Sequence, residues 1–171
     1  MKLIYQILFV LISIFTSKIY CQSNPEELGI SLMNCFQGDS ISQIKKHFPT
    51  ADQLLRYAGK HNMELNDDKI SALKESYSNQ IIELNSKLID IQKDGINKGI
   101  DWKMMQTDSI RTSMKKSPSL NSENDSIEIN RVDIDFHYRS NYYRLVLENT
   151  IEIDGRWYLD NKIYFRKMNE E

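Results

Sequence analysis

A period-two alternation of apolar and polar residues, from 127 to 167, constrains the fold of this 171-residue chain most strongly. Alternation of this kind is typical of β-strands that bury one face and expose the other. We therefore expect three consecutive antiparallel strands, a meander, with their apolar side chains on one shared face. These side chains belong to Val132, Ile134, Phe136, Tyr138, Tyr143, Leu145, Leu147, Ile151, Trp157, Leu159, Ile163 and Phe165.

The apolar pattern also predicts how the first two strands pair. A two-residue loop at Ser140-Asn141 would pair Tyr138 with Tyr143 and keep the apolar side chains of both strands on the same face. Within the first strand the apolar residues change from odd to even positions, which requires one extra residue. We expect this bulge near Asn130-Arg131.

Two turns are conceivable between the second and third strands. The dipeptide Asp154-Gly155 is typical of a tight two-residue turn, but that turn would place Trp157 on the face opposite to Ile151. A three-residue loop over 153–155 pairs Ile151 with Trp157 instead. Because a one-residue slip moves every side chain to the other face, we predict the three-residue loop.

Three short helices are predicted between residues 24 and 59. Capping residues, among them Asn24 and Thr50, begin helices, and a glycine or proline ends each one. A longer pattern, with apolar residues every three or four positions, covers 67–93 and is followed by Gly95 as a stop. Unbroken, this helix is about 40 Å long. It lies on the sheet, projects as a dimerisation helix, or breaks at 76–79, where helix propensity is lowest.

The remaining segments complete an α+β fold. Residues 100–104 resemble a short strand, and 115–126 form a polar loop. The chain is predicted to contain a signal peptide at 1–21 and a single α+β domain at 22–171. In that domain, N-terminal helices (24–93) pack on a curved antiparallel sheet of three to four strands, with the meander at 127–167.

The N-terminus predicts export from the cytosol. Lys2 precedes an apolar run from Leu3 to Phe15, the pattern of a secretory signal peptide. Cleavage after Cys21 suits this pattern, and the protein would then be periplasmic or secreted. A lipid anchor on Cys21 is the minor alternative, because Tyr20 is not the small residue that lipoprotein signals carry before the cysteine. Cys35 would remain as a lone cysteine on an apolar helix face, which favours burial.

Composition excludes several classes of protein. The net charge of −2 disfavours nucleic acid as a partner, and two cysteines cannot build a disulfide-rich scaffold. The thirteen-residue apolar run from Leu3 to Phe15 reaches only about 20 Å, so no transmembrane span is expected in the mature chain.

Three carboxylates are expected to stand in one row on the outer face of the meander. The predicted register aligns Asp133, Glu148 and Asp160 across neighbouring strands, which lie about 4.8 Å apart. Carboxylate oxygens suit Ca²⁺ or Mg²⁺, the cofactors this row could hold. The alternative is a solvated acidic stripe with no metal.

His137 beside Asp135 is the best acid–base candidate for catalysis. The alternative is a histidine with a structural role or in contact with solvent, because a single pair without a substrate site does not define a catalytic centre. The three histidines share no metal-binding spacing, and no phosphate-loop, dinucleotide or nucleophile motif is present.

The segment Asp154-Gly155-Arg156-Trp157 and its flanking strands resemble the end of nuclear-transport-factor-two-like and cystatin-like α+β rolls, as in many exported bacterial proteins of unknown role. The resemblance implies a conical pocket between helix and sheet, where Tyr138, Tyr143, Asn149 and Trp157 would contact a ligand. Enzymes of this fold place an acid or a histidine inside the pocket. The inner face predicted here has neither, which argues against catalysis.

The sequence thus favours an exported, non-enzymatic binding domain whose partner is an unknown protein or small molecule. One alternative is a pocketed-roll enzyme of the isomerase or hydrolase type. Another is a structural or inhibitory envelope protein that engages its partner through the long helix or through the tyrosine- and arginine-rich end of the sheet, and a homodimer would use the long helix.

Overall fold

The structure, a computed structural model, describes residues 23–38, 40–61, 63, 65–118, 126–159 and 162–168. The predicted signal peptide, 1–21, lies outside these residues. The helices are α1 (Pro25–Gln37), α2 (Ala51–Lys60) and α3 (Asp67–Asn97), with 3₁₀ helices at Ile41–His47 and Trp102–Met104. The strands are β1 (Gln106–Pro118), β2 (Ser126–Tyr138), β3 (Asn141–Ile153), β4 (Arg156–Leu159) and β5 (Ile163–Met168).

The predicted α+β class is confirmed, with three α-helices packed against an antiparallel sheet. The sheet has five described strands rather than three to four, in the order β1-β2-β3-β4, and it is not closed. Strand β3 is long enough to have two partners on the same edge. Its first part, 142–147, pairs with β5, and its second part, 150–153, pairs with β4.

The helix starts confirm the predicted caps. The side chain of Asn24 accepts a hydrogen bond from the backbone N–H of Glu27 at 2.8 Å. Thr50 and Gln53 bond reciprocally to each other's backbone N–H, which forms a capping box. Each of these bonds satisfies a backbone donor that has no partner within the helix.

Helix α3 is continuous over 31 residues and about 46 Å long. The break considered at 76–79 does not occur. The fully buried positions of α3 all lie in its second half, at Leu84, Leu88, Ile91 and Gly95. Only that half therefore packs as a core helix, and the first half is partly exposed on its apolar side.

Strand β1 was not predicted. Its sequence carries few apolar residues, of which Ile110 is half-buried and Met114 exposed, so the alternation typical of a strand is missing. The strand that was expected at 100–104 is instead a 3₁₀ turn with Trp102 buried. Residues 115–118 and 126 of the predicted polar loop belong to β1 and β2.

The turn between β2 and β3 lies one residue earlier than predicted, at Arg139-Ser140. Arg139 adopts a positive φ of 57°, and Tyr138 pairs with Asn141 rather than with Tyr143. From Tyr138 to Val132 every pairing is therefore shifted by two residues from the prediction. Because side chains alternate with a period of two, this shift leaves the apolar side chains on the predicted face.

The turn between β3 and β4 corrects the second predicted loop. It is the tight two-residue turn, in which Asp154 and Gly155 have φ values of 53° and 76°, as this turn type requires. Ile151 consequently pairs with Tyr158, and Trp157 pairs with Glu152. The three-residue loop predicted over 153–155 is wrong.

A bulge explains why Trp157 is nevertheless buried. The register shifts between Asn130 and Val132, where a bulge was predicted, but the extra residue lies on the neighbouring strand. Between the two pairs, β2 contains one residue and β3 contains two, Glu148 and Asn149. The extra residue reverses the phase of β3, so that Thr150 rather than Ile151 is buried.

Helices and sheet share one hydrophobic core, to which both Phe136 and Trp157 belong. At this core lies a group of aromatic rings with centroids 4.8 to 6.2 Å apart. The rings belong to Phe36, Trp102, Phe136, Tyr143 and Phe165. Burial of these large rings makes a major contribution to the stability of the fold.

Gly95 does not end α3, contrary to the prediction, because the helix continues to Asn97. A Cβ atom at this position would lie 2.3 Å from Cζ2 of Trp102, so only glycine lets the indole ring pack against the helix backbone. The indole nitrogen of Trp102 donates a hydrogen bond to the carbonyl of Gln92 at 3.0 Å. No helix among the described residues is both long enough and apolar enough to cross a membrane.

Candidate functional site

The candidate residues His137 and Asp135 lie two positions apart on β2 and share one face, but each side chain has its partner on another residue. His137 Nδ1 lies 2.6 Å from a carboxylate oxygen of Asp108 in β1. Asp135 instead accepts hydrogen bonds from Arg144 at 2.5 Å and from Arg111 at 2.6 Å. Both groups lie on the outer face of the sheet.

The arginines hold Asp135 in its charged form. Burial alone would raise the pKa of this carboxyl, but the hydrogen bonds and positive charges of Arg144 and Arg111 lower its pKa below the ordinary value. A carboxylate that stays ionised and accepts bonds from two guanidinium groups is a poor proton acceptor. This arrangement suits the stabilisation of three neighbouring strands, β1, β2 and β3.

The predicted carboxylate row is not aligned in the register of the structure. Asp133 lies opposite Val146 rather than Glu148, and it accepts bonds from Arg131 at 2.8 and 3.1 Å. Glu148 lies in the bulge of β3, and Asp160 lies outside the described residues. Among the residues described, no group of three or more acidic, histidine or cysteine side chains could hold a metal ion.

The four predicted ligand contacts are spread along the sheet. Tyr143 is fully buried within the aromatic group, and Tyr138 lies near the turn with the guanidinium of Arg139 over its ring. Trp157 pairs with Glu152, nine residues further along β3 than Tyr143, or about 30 Å. Asn149 lies in the bulge between these two positions.

Cys35 has a partner that the sequence did not reveal. Its sulfur lies 3.7 Å from Nε2 of His47, and the hydroxyl oxygen of Ser31 lies 3.3 Å from the same nitrogen. Both Cys35 and His47 are buried. Burial raises the pKa of the thiol, and positive Lys46 counters this only in part. The thiolate needed for nucleophilic chemistry is therefore disfavoured, and the pair is structural.

The candidate site is a cavity of about 220 Å³ between α2, α3 and the sheet. Its lining is mostly apolar, and the hydrophilic side chains in it are uncharged. The lining residues are Phe48, Pro49, Leu54, Leu73, Ser76, Tyr77, Gln80, Ile81, Leu84, Ile151 and Leu159. A predominantly apolar cavity with a few polar groups is what small-molecule sites in proteins have in common.

Three elements position this lining. Helix α3 supplies one wall from Leu73 to Leu84, and the hydroxyl of Tyr77 donates a hydrogen bond to the carbonyl of Pro49, which ties α3 to the segment before α2. Helix α2 supplies Leu54, and the paired strands β3 and β4 supply Ile151 and Leu159. The cavity walls thus belong to helices and strands that are also held in place by contacts outside the cavity.

Helix α2 is incompletely covered. It is amphipathic in sequence, but Ala58 alone among its residues is buried, while Leu54 and Leu55 are half-buried. Apolar side chains that line a cavity lose the contacts that a filled core would supply. The apolar side of α2 therefore lacks part of the contacts that a filled core would give it.

Sequence reasoning missed the cavity, although the apolar pattern predicted over 67–93 includes the wall that α3 supplies. A helical period indicates which side of a helix is apolar, but not whether a neighbour fills the space beside it.

Comparisons of this chain with known protein families, with curated proteins and with solved structures found no match. Helices packed on an antiparallel sheet that is not closed are compatible with the shape of an α+β roll. The resemblance to a named family of rolls stays a prediction.

Proposed function

We propose that this protein is an exported, non-enzymatic binding domain that holds a small apolar ligand in the cavity between α2 and α3. The observation that carries the proposal is the cavity of about 220 Å³, with a wall on each of three elements and no charged side chain among its lining residues. An apolar ligand would replace contacts that Leu54 and Leu73 lack in the free protein.

The size and chemistry of the cavity define the ligand class. An apolar cavity of about 150 Å³ holds a benzene ring, so a somewhat larger one suits a short aliphatic chain or a substituted ring. Ser76, Tyr77 and Gln80 offer hydrogen bonds but no charge. The ligand is therefore neutral, because an ion without a counter-charge would lose its hydration.

A non-enzymatic role fits the environment of the titratable groups. Asp135 is held by two arginines, and the Cys35–His47 pair lies in the core. An enzyme of the pocketed-roll type would place such a group inside its pocket, whereas the cavity between α2 and α3 is lined by none. The roll family itself is part of this proposal, supported by the order of helices and strands.

Export rests on the N-terminal sequence. The apolar run from Leu3 to Phe15 would be removed after Cys21, and the mature protein would begin at Gln22. Mass spectrometry of the protein recovered outside the cytosol measures this directly. A product that retains residues 1–21, or one that carries a lipid on Cys21, would contradict this cleavage.

Octan-1-ol is a suitable probe for the cavity, because it is neutral and carries a single aliphatic chain. At ten times its Kd it would raise the free energy of unfolding by about 1.4 kcal/mol. For a chain of this size the melting temperature rises by roughly 3–5 °C. The measurement is thermal unfolding of the mature chain in increasing octan-1-ol, with octanoate, which has the same number of carbons, as the charged counterpart that is expected to give a smaller shift.

A substitution that fills the cavity separates this site from general surface binding. Leu73→Trp would occupy the cavity and abolish the octan-1-ol shift, whereas Ile82→Trp adds the same side chain at an exposed position of the same helix. The expected result is a normal shift in Ile82→Trp and none in Leu73→Trp. Equal shifts in the two variants, or no shift in the unmodified protein, would overturn the proposed function.

A further inference from the structure

A second cavity, of about 270 Å³, lies between the C-terminal end of α2 and the β3–β4 turn. Its walls combine aromatic rings with charged side chains of both signs. The rings belong to Tyr57, His61 and Trp157, and the charges to Lys60, Glu152 and Asp154. None of these residues lines the apolar cavity, so the two sites are independent.

The rings form the apolar part of this cleft. The centroids of Tyr57 and His61 are 4.3 Å apart, which places both rings side by side at the end of α2. Trp157 is 7 % exposed and is held by the hydrophobic core on its other side. A rigid indole that is anchored in the core and reaches a cleft costs little conformational entropy when it binds a ligand.

The two opposite charges at the cleft, Lys60 and Glu152, do not form an ion pair with each other. Asp154 lies 3.5 Å from the guanidinium of Arg56. Lys60 and Glu152 form no ion pair with any residue in the described part of the chain. Two opposite charges that line one cleft, and leave each other unpaired, remain available to a ligand that carries both.

We propose that this cleft binds a small zwitterion with an apolar group, such as a free α-amino acid. Its carboxylate would accept hydrogen bonds from the ammonium of Lys60, and its ammonium would donate to Glu152. The apolar side chain would lie against Trp157 and Tyr57, and the ring faces would also attract the ammonium. The chemical class follows from charge complementarity, since a singly charged ligand would satisfy only one of the two groups.

Three related probes test this assignment. L-Phenylalanine carries both charges, phenethylamine lacks the carboxylate, and 3-phenylpropionate lacks the ammonium. Binding is measured by tryptophan fluorescence, excited where phenylalanine does not absorb, and by the NMR shift of the Trp157 indole N–H. The zwitterion is expected to bind more tightly than either singly charged analogue.

Charge-removing variants identify the partner of each ligand group. Lys60→Gln should weaken L-phenylalanine and 3-phenylpropionate about tenfold, the effect of losing one hydrogen bond to a charged group, and leave phenethylamine unchanged. Glu152→Gln should weaken L-phenylalanine and phenethylamine instead. Both side chains are exposed, so folding is expected to be unaffected.

Matched controls are available on the exposed side of α3, where Lys74→Gln and Glu75→Gln remove the same charges away from the cleft. Equal affinity in all four variants would overturn the proposal, as would the absence of any L-phenylalanine titration up to its solubility limit. Failure of octan-1-ol to bind would not affect the test with L-phenylalanine, because the two cavities have no lining residue in common. The two proposed sites can therefore fail separately.

Discussion

The two halves of helix α3 lie in regions that differ in packing. We use "packed region" for α1, residues 84–97 of α3, Trp102, and the sheet where β2, β3 and β5 pair. We use "open region" for α2, residues 67–81 of α3, and the hairpin 150–159. The aromatic group and the buried part of α3 lie in the packed region, whereas the two candidate binding cavities lie beside the open region. A third cavity, of about 300 Å³ and more open to solvent, borders Phe36 and Trp102 at the edge of the packed region.

This difference separates stability from binding. In the packed region the rings of Phe36 and Trp102 stack at 4.8 Å, and Gly29 of α1 approaches the sheet so closely that a Cβ would meet Ile110 at 3.3 Å. In the open region the apolar side of α2 is only partly covered. A rigid packed region can keep the fold intact while the open region retains space for ligands.

The largest expected effect comes from removing a ring in the packed region. Phe136 is fully buried and packs on Trp102, Tyr143 and Phe165, so Phe136→Ala should lower the free energy of unfolding by about 3–5 kcal/mol. Leu73→Ala in the open region should cost about 1 kcal/mol, because its side chain is half-buried and already borders empty space.

Urea unfolding of both variants measures this contrast. The m-value should stay constant, so that the shift in midpoint reports stability alone. A Leu73→Ala loss as large as that of Phe136→Ala would mean that the open region is packed as tightly as the rest. The comparison between the regions would then fail.

The buried face of β2, of the first part of β3 and of β4 and β5 could be predicted from the sequence because alternation is a local property. Phe136, Leu145 and Trp157 share the core as expected, although both turns were placed wrongly. Register depends on turn conformation, and the left-handed φ of Arg139 is not visible in its residue type. The bulge in β3 also changed which side chains after Asn149 face the core, and the three-residue loop had been predicted from the unchanged alternation.

The candidate sites were largely beyond the reach of the sequence. A cavity is the space left between packed elements, and no periodicity encodes how well Leu54 of α2 and Leu73 of α3 meet. Trp157, which was predicted as a ligand contact, lines the second cavity, and its role in binding stays a prediction. Its neighbours Lys60 and Glu152 are far apart in sequence, so their proximity depends on the path of the chain.

The pH dependence of the free energy of unfolding provides a further comparison of the two regions, because a histidine lies in or against each of them. His47 packs against α1 and is fully buried, and desolvation, with the positive charges of Lys46 and Arg156, lowers its pKa to about 4. The unfolded chain binds this proton near pH 6.5, but the folded protein does not until about pH 4. The free energy of unfolding should therefore decrease by about 3 kcal/mol as the pH falls through this window.

Urea unfolding at several pH values between 4.5 and 7.5 measures the slope. His47→Gln should flatten it even if the variant is less stable throughout, because the titrating group is gone. His61→Gln, which removes the exposed histidine of the open region, is the control for the loss of an imidazole elsewhere in the fold. Asp135 contributes little in this window, since its lowered pKa keeps it ionised. A slope that survives His47→Gln would show that another group carries the pH dependence.

The smallest expected changes in stability come from replacing a glycine in each region by alanine. Gly95→Ala would place a Cβ 2.3 Å from Trp102, so the indole must move and stability should fall by about 1–3 kcal/mol. Gly59→Ala in α2 meets no atom within 4 Å, and alanine favours the helix, so stability should rise by up to about 1 kcal/mol.

Thermal unfolding of the two variants compares them directly. Opposite signs are expected, because the same methyl group meets a filled space at Gly95 and open space at Gly59. Two losses of equal size would mean that α2 is packed as closely as the C-terminal turn of α3.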